Sequence, residues 1–569
     1  MRRTQLQAAS FALMLGLAAV PLAACAAKGG EDLPGQTVPV PGGGDPNQAD
    51  TGTADDTGAP ATNPGTATDS GTTTTTTADT GTTTPADTGS PSTPPPPTGS
   101  FDYAQGLAVS EIAVFQGVKV SVWSNGSAAS HTAPVVVGRP GLVRVYVAPQ
   151  SGWSARAVTA QLTLTSSGSA QTFSDTKTPS SASSDASLGS TFDFDLPASA
   201  FNGDTTAKVE LTVPKGSGSA SGGAAMVSSV AFNAGNPGST LKVVVVPVKY
   251  MADGSGRLPD TSSAQMALYQ KTMMNIYPAR SITMTVRAAW TWNQTISADG
   301  TGFDTILNSL TNLRQQDNAP YDVYYFAAFE PDTSFDSFCS GGCVAGLSTV
   351  ATSPSDSFSR VSTGLGYTGA DSATTMAHEV GHAHGREHTP TTQGTAAQCF
   401  MPGSPDNSYP YSSGLIGSWG YDINAKTLMD PSQYGDVMGY CQSTWVSDWT
   451  YTALFERMNA VTGGADLRYP PGAPTKFRMV TVGVHGALSW GETIEPSTPP
   501  VGKLTTFQYT DAAGNVIEQA TGHFYPYSDL PGGILLVPET GPAGWQSITI
   551  DRTIPSAVRT LPRDFAKQP

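Results

Sequence analysis

Residues 376–388 read Met-Ala-His-Glu-Val-Gly-His-Ala-His-Gly-Arg-Glu-His and hold four of the 7 histidines in the chain. On an α-helix each residue advances by about 100°, so His378, Glu379 and His382 share one sector of the helix surface. The opposite sector carries apolar and small residues at the spacing of a buried stripe, namely Ala373, Met376, Ala377, Val380 and His384. The stretch therefore predicts a helix with one buried apolar side and one side that carries two histidines and a glutamate.

The end of this helix supplies a third histidine. Gly385 is expected to end the helix, because glycine takes positive φ most readily, and His388 then turns back toward His378 and His382. Three neutral imidazoles leave one position on Zn²⁺ open for water, as in catalytic rather than structural sites. His384 lies in the other sector and is not expected to bind the metal. The spacing predicts one catalytic Zn²⁺ ion, and nothing in the sequence supports an additional Ca²⁺ site.

Length and charge limit the classes of protein to which the chain can belong. The chain has 569 residues, enough for several domains. Its formal net charge is -16, and 13% of its residues are charged. An acidic chain without a basic stripe argues against a nucleic-acid partner.

The N-terminus, residues 1–25, has the organisation of an export signal. Arg2 and Arg3 precede a short apolar run at residues 11–20, which is too short to span a bilayer as a mature helix. Leu-Ala-Ala-Cys25 resembles the lipobox of bacterial lipoproteins, which implies a lipidated Cys25 and a membrane anchor. Ala26 in the next position resembles lipoproteins sent to the outer membrane or cell surface of a Gram-negative bacterium. An ordinary signal peptide cut near Ala24 is the alternative.

Residues 26–100 consist largely of Gly, Thr, Pro, Ser and Asp. Such a segment cannot bury enough apolar surface to offset the entropy of ordering, so it is expected to be a disordered tether. Asp-Thr-Gly triplets recur in it, but they lack the apolar strands that an aspartic protease would place around them.

Four cysteines follow Cys25, at positions 339, 343, 399 and 441. An exported protein with four cysteines is expected to form two disulfides, with three possible connectivities. Cys339 and Cys343 can close locally across Ser-Gly-Gly, which would leave Cys399 to pair with Cys441. A cysteine metal site is the competing interpretation, and an oxidising compartment with a ready histidine site argues against it.

The rest of the chain divides into three predicted domains that differ in their pattern of apolar and polar residues. Residues 101–238 alternate apolar and polar positions between Gly, Ser, Asn and Pro turns, which predicts an antiparallel β-sandwich. Residues 239–466 alternate strand and helix patterns, which predicts helices packed on a largely parallel, mixed sheet. Residues 467–569 return to the β pattern and predict a second, small sandwich. The fold class is therefore a multidomain chain with an α+β catalytic domain between two all-β domains.

The central region resembles the metzincin zinc peptidases. The resemblance rests on the zinc motif and on Asp436-Val-Met-Gly-Tyr440, which looks like the family's Met-turn. It implies that Met438 lies beneath the metal and that Tyr440 approaches the metal and stabilises the oxyanion. Met429 is a competing Met-turn candidate, but no tyrosine follows it at that spacing. The strand with Gly346 also resembles the family's edge strand, where substrate is bound as an added antiparallel strand.

Thr389, after the third histidine, matches none of the familiar metzincin subfamilies. A lipidated, exported enzyme with flanking β domains is more similar to the mucin-cleaving glycoprotein endopeptidases or to pappalysin-like enzymes.

These observations predict a zinc-dependent endopeptidase that acts on extracellular proteins or glycoproteins. Zn²⁺ held by the three histidines lowers the pKa of its water, and Glu379 is expected to act as general base. A non-catalytic adhesin or glycan-binding lipoprotein with a vestigial zinc site is the alternative, and a purely structural zinc site is the third hypothesis.

Overall fold

The computed structural model describes residues 100–238, 240–351, 353–390, 405–439, 443–463, 470–483, 486–550 and 559–563. The predicted export signal with Cys25, residues 26–99 of the predicted tether, Cys399, Tyr440 and Cys441 lie outside the described residues. None of the described helices combines the length and apolar character needed to cross a membrane.

The N-terminal β region consists of two antiparallel sheets. Its strands are β1 (Phe101–Tyr103), β2 (Leu107–Phe115), β3 (Lys119–Ser124), β4 (Ser127–Ala128), β5 (Gly141–Pro149), β6 (Val158–Ser166), β7 (Ser169–Lys177), β8 (Phe192–Leu196), β9 (Thr206–Pro214) and β10 (Met226–Ala231). One sheet has the order β4-β3-β2-β5-β8, and the other has the order β1-β9-β6-β7 with β10 beside β9. Alternate residues of β6, such as Val158, Ala160 and Leu162, point into the shared core. Two packed antiparallel sheets are the arrangement that the alternation predicts.

The central region contains a mixed six-stranded sheet with helices. Its elements are β11 (Leu241–Tyr250), α1 (Ser263–Ile276), β12 (Ile282–Val286), β13 (Trp290–Trp292), α2 (Phe303–Gln316), β14 (Val323–Phe329), α3 (Phe335–Phe338), β15 (Gly346–Ser348), β16 (Val361–Leu365) and α4 (Ala370–Ala383). The order is β12-β11-β14-β16-β15, with β13 also on β11. Only β15 runs antiparallel to its neighbour, and it lies at the edge of the sheet. Every residue of β14 is buried, as expected for a parallel strand covered on both faces.

The zinc-motif helix is α4. The predicted stripe of Ala373, Met376, Ala377 and Val380 is fully buried in the main core. The helix ends as expected, with Gly385 at φ 81°. A disulfide joins Cys339 to Cys343, so the local pairing predicted for these two cysteines is confirmed.

A loop-rich segment with four short strands and one long helix follows α4. These elements are β17 (Gly420–Asp422), β18 (Thr427–Met429), β19 (Tyr434–Asp436), β20 (Ser443–Trp445) and α5 (Asp448–Gly463). Strands β17 and β18 form an antiparallel pair, and β19 runs parallel to β20.

The C-terminal β region forms one continuous antiparallel sheet in place of the two sheets of a sandwich. Its strands are β21 (Phe477–Val482), β22 (Leu488–Ile494), β23 (Lys503–Thr510), β24 (Val516–Pro526), β25 (Gly533–Pro538), β26 (Ser547–Ile550) and β27 (Arg559–Pro562), in the order β22-β21-β25-β24-β23-β26-β27. In β25, Leu535 and Val537 face this region's own core, whereas Ile534 and Leu536 join the core of the central region. The sheet curls around its own core so that its two end strands meet, with Trp490 Nε1 of β22 donating a hydrogen bond of 2.6 Å to Pro562 O of β27, and its other face packs on the central region.

Candidate metal centre

The three predicted ligands converge at the C-terminal end of α4. His382 Nε2 lies 2.9 Å from His378 Nε2 and 3.1 Å from His388 Nε2. All three side chains are buried. The turn at Gly385 brings His388 back to the face that carries the other two, as the spacing predicts.

Backbone carbonyls fix the orientation of two of these rings. His378 Nδ1 lies 2.6 Å from Val437 O, and His382 Nδ1 lies 2.7 Å from Arg386 O. A carbonyl oxygen only accepts, so each Nδ1 carries the proton and each Nε2 presents its lone pair to the common point. Burial lowers the pKa of both imidazoles, which keeps them in the neutral form that binds metals. This donor set fits Zn²⁺.

Met438 lies against α4 at Gly381, between Glu379 and His382 in the zinc motif. A Cβ built on Gly381 would lie 2.6 Å from the Met438 sulfur, so glycine is needed for this close approach. Met438 is buried, and its carbonyl accepts a hydrogen bond of 2.9 Å from Thr389 N. Met429, the competing candidate, lies in β18 and pairs with Gly420.

The turn that carries Met438 is held by a buried carboxylate. Asp436 Oδ1 accepts hydrogen bonds from Met438 N at 2.9 Å and from Thr450 Oγ1 at 3.0 Å. Its other oxygen accepts a hydrogen bond of 2.9 Å from Ser447 N, at the start of α5. These bonds tie the carbonyl of Val437 to its position behind His378.

Glu379 is buried beside the edge strand. A Cβ on Gly346 would overlap the Glu379 carboxylate, so β15 passes Glu379 at a distance that only glycine allows. Glu379 Oε2 has no hydrogen-bond partner among the described residues. Burial and the nearby Asp529 carboxylate raise the pKa of Glu379 well above its usual value. A buried carboxylate with an unsatisfied oxygen is costly, and such groups are concentrated at functional sites.

A fourth side chain completes the group, and the sequence analysis did not identify it. Asp529 Oδ1 lies 3.2 Å from His388 Nε2, and Oδ2 lies 3.7 Å from His382 Nε2. The donor atoms of His378, His382, His388 and Asp529 all lie within 4.8 Å of one another. The position expected to be open for water therefore faces a carboxylate from the C-terminal β region.

The charge state of Asp529 agrees with a role as a metal ligand. Burial raises the pKa of Asp529, whereas its contact with the imidazoles, His388 first, lowers it to about 2, so the carboxylate and the imidazoles share protons that a bound metal would displace. The only sequence signal at this position is Ser-Asp-Leu-Pro-Gly between two strands, which indicates a turn. Spacing rules for metal ligands do not reach across so long a separation in the chain.

His384 is outside the metal-binding group, as predicted. Its ring stacks on Tyr324 with centroids 4.1 Å apart, and its Nδ1 lies 2.7 Å from Val380 O. Burial lowers the pKa of His384 to about 3. This side chain is a neutral component of the core beneath α4.

A family model described as Peptidase M66 matches residues 349–470. Peptidase M66 is a zinc metallopeptidase family, and the matched range contains α4, the three histidines and Met438. The similarity indicates a metallopeptidase, and the buried His₃Asp group supports metal binding, with Zn²⁺ as the expected ion. The range begins after β15 and ends before Asp529. No curated protein matches the chain.

Proposed function

We propose that this chain is a zinc-dependent endopeptidase of the metzincin type. The observation that carries the proposal is the burial of the Glu379 carboxylate on the helical turn that carries two of three converging imidazoles. A structural site needs four ligands and no further carboxylate. Glu379 beside the edge strand is, by contrast, the group that hydrolysis of a peptide bond requires.

The reaction steps are shared between the bound metal, Glu379 and strand β15. A bound Zn²⁺ would supply Lewis-acid polarisation of the substrate carbonyl and acidification of water. Glu379 takes one proton from the attacking water and delivers it to the nitrogen of the leaving amine as the C–N bond breaks. Strand β15 holds the substrate backbone in register with these groups through main-chain hydrogen bonds.

Two further roles follow from the metzincin resemblance. Met438 forms the apolar floor of the metal centre, a role that its contact with Gly381 supports. Tyr440, two residues later in the chain, is proposed as an oxyanion donor.

The proposed substrates are extracellular proteins or glycoproteins. The lipobox at Cys25 supports export and a lipid anchor in the outer membrane or at the surface of a Gram-negative cell. The tether at residues 26–100 would then hold the enzyme away from the bilayer. A second disulfide between Cys399 and Cys441 belongs to the same proposal, because an exported chain is oxidised.

Asp529 favours a second candidate function, a structural metal site in a non-catalytic adhesin or glycan-binding lipoprotein. Four protein ligands close a zinc site, and Asp529 provides a fourth. This reading leaves Glu379 and its unsatisfied oxygen without a role, so the peptidase is the better supported function.

The test compares hydrolysis of an unfolded protein and of a mucin-type glycoprotein by wild type and by Glu379→Gln. Because Asp529 Oδ1 lies 3.2 Å from His388 Nε2 in wild type, both proteins are also assayed with Asp529→Ala added, and zinc content is measured in all of them. Loss of the general base is expected to lower kcat about 10²–10⁴-fold with zinc content unchanged. Glu387→Gln is the matched control, because Glu387 is exposed and is expected to leave activity unchanged.

If every protein binds zinc and none cleaves either substrate, the peptidase proposal is wrong and the structural site is favoured. Cleavage of the glycoprotein alone would narrow the substrate class to glycosylated proteins.

A further inference from the structure

The loop that carries Asp529 also pairs with the edge strand of the central sheet, β15. This loop, residues 527–532, joins β24 to β25. Ser528 N donates a hydrogen bond of 2.9 Å to Ser348 O, and Val350 N donates one of 3.0 Å to Pro526 O. Ser348 N donates to Ser528 Oγ at 3.0 Å. Thr349 and Tyr527 form an antiparallel bridge between these bonds.

This pairing uses the side of β15 that an extended peptide would need. The other side of β15 is already paired with β16 through Gly346, Leu347 and Ser348. An added strand is a common mode of peptide capture, since main-chain bonds supply affinity for many sequences. Gly346 lies against Glu379, so a peptide bound along this edge would pass the general base. The 527–532 loop occupies that path as a short antiparallel strand.

The loop is held by buried contacts on both sides of Asp529. Tyr527 is buried, and Asn308 Nδ2 on α2 lies 3.2 Å from its hydroxyl. Leu530 is buried in the core of the central region and packs against Gly300. Ser528 Oγ donates a hydrogen bond to Asp529 Oδ2. These anchors fix the carboxylate opposite the three imidazoles.

We propose that the 527–532 loop is a built-in inhibitor of the metal centre, and this inference rests on the proposed peptidase function. Asp529 is the fourth ligand of the metal in the resting chain. Pro526, Tyr527 and Ser528 fill the strand position of a substrate. Withdrawal of the loop, together with the buried side chains of Tyr527 and Leu530, would open the fourth position on the metal and the edge of β15 at the same time.

The proposal predicts how a small metal-directed ligand binds. A ligand that binds only the open form has an apparent Kd equal to its intrinsic Kd divided by the open fraction. A loop that is closed in about nine of ten molecules therefore weakens binding about tenfold.

The experiment uses the full chain with Co²⁺ in the site and titrates acetohydroxamate, following the visible absorption of the metal. Asp529→Ala is expected to bind the hydroxamate at least tenfold more tightly than wild type. Asp529→Asn keeps the volume of the side chain and loses the anionic donor, so it is expected to fall between them. Glu518→Gln, at an exposed position of the same region, should equal wild type. Thermal unfolding and cobalt content confirm that each variant is folded and loaded.

Equal hydroxamate affinity in wild type and both Asp529 variants would overturn the inference. Because this titration needs no catalysis, it separates the two proposals. Tighter hydroxamate binding without cleavage of any substrate contradicts the peptidase and makes Asp529 the fourth ligand of a structural site, so the loop would have no activity to inhibit. Cleavage at equal rates by wild type and Asp529→Ala supports the peptidase and contradicts the loop.

Discussion

The two β regions have the same kind of sequence but different relations to the metal centre. The N-terminal region packs behind the central sheet, where Arg139 donates hydrogen bonds to the carbonyls of Tyr277 and Ala279 after α1. No residue of the N-terminal region belongs to the metal-binding group. The C-terminal region packs on another face of the central region and places Asp529 in that group. The alternation of apolar and polar residues along a strand specifies which face is buried. Whether a sheet contributes a residue to the metal-binding group depends on where one of its loops points.

A matched pair of leucine truncations tests this comparison and should produce the largest change in stability. Leu162 in β6 and Leu530 in the 527–532 loop are both buried, so replacing either by alanine is expected to cost about 2–5 kcal/mol. Leu530→Ala should also loosen Asp529 and strengthen acetohydroxamate binding, whereas Leu162→Ala should leave it unchanged. Urea unfolding and the cobalt titration measure the two effects. Tighter hydroxamate binding in Leu162→Ala would show that the N-terminal region also controls access to the metal.

Features that depend on local geometry could be predicted from the sequence, whereas features that depend on long-range packing could not. His378, His382 and His388 lie within one helix and one turn, so helical geometry brings them together without knowledge of the rest of the fold. The same holds for the buried stripe of α4 and for the Cys339–Cys343 disulfide, whose partners are four residues apart. These features depend on local geometry, which a sequence specifies directly.

The position of Asp529 depends on long-range packing, and the sequence contains no motif that predicts it. Its position follows from the pairing of Ser528 with β15 and from the burial of Leu530 against Gly300. The same holds for the C-terminal sheet, in which Ile534 and Leu536 are covered by the central region while Leu535 and Val537 face a core that the sheet itself encloses. Alternation shows that a face is buried, not what covers it.

A second prediction concerns the contact between the central region and the C-terminal sheet. Burial raises the pKa of Asp356 to about 6, and its Oδ1 accepts hydrogen bonds of 3.0 Å from Val501 N and from Tyr525 OH. A carboxyl whose pKa is raised on folding is destabilising above that pKa, and the penalty disappears as pH falls toward its usual value near 4. Asp356→Asn should therefore raise stability at pH 7 by about 1–3 kcal/mol and flatten its pH dependence between about pH 4 and 6.

Urea unfolding at pH 4.5, 6 and 7 checks the sign of this effect. Asp511→Asn serves as the control, because hydrogen bonds from Asn515 lower the pKa of this partly exposed carboxylate and its neutralisation should not stabilise the fold. A less stable Asp356→Asn at pH 7 would mean that the charge, and not only the oxygen acceptor, holds the C-terminal sheet in place.

The smallest effect is expected at the ion pair between the N-terminal and central regions. Lys426 Nζ lies 2.6 Å from Asp195 Oδ2, but the side chains are 55% and 45% exposed. Solvent screens such a pair, so Asp195→Asn should change the free energy of unfolding by less than about 0.5 kcal/mol. A double-mutant cycle with Lys426→Met, repeated in 0.1 M and about 1 M salt, isolates the pair because salt at about 1 M reduces the screening length to about 3 Å. A coupling energy above about 1 kcal/mol that persists in high salt would contradict this expectation. The contrast between the two β regions would then be smaller, because a surface ion pair would hold the N-terminal region as firmly as buried contacts hold the C-terminal sheet.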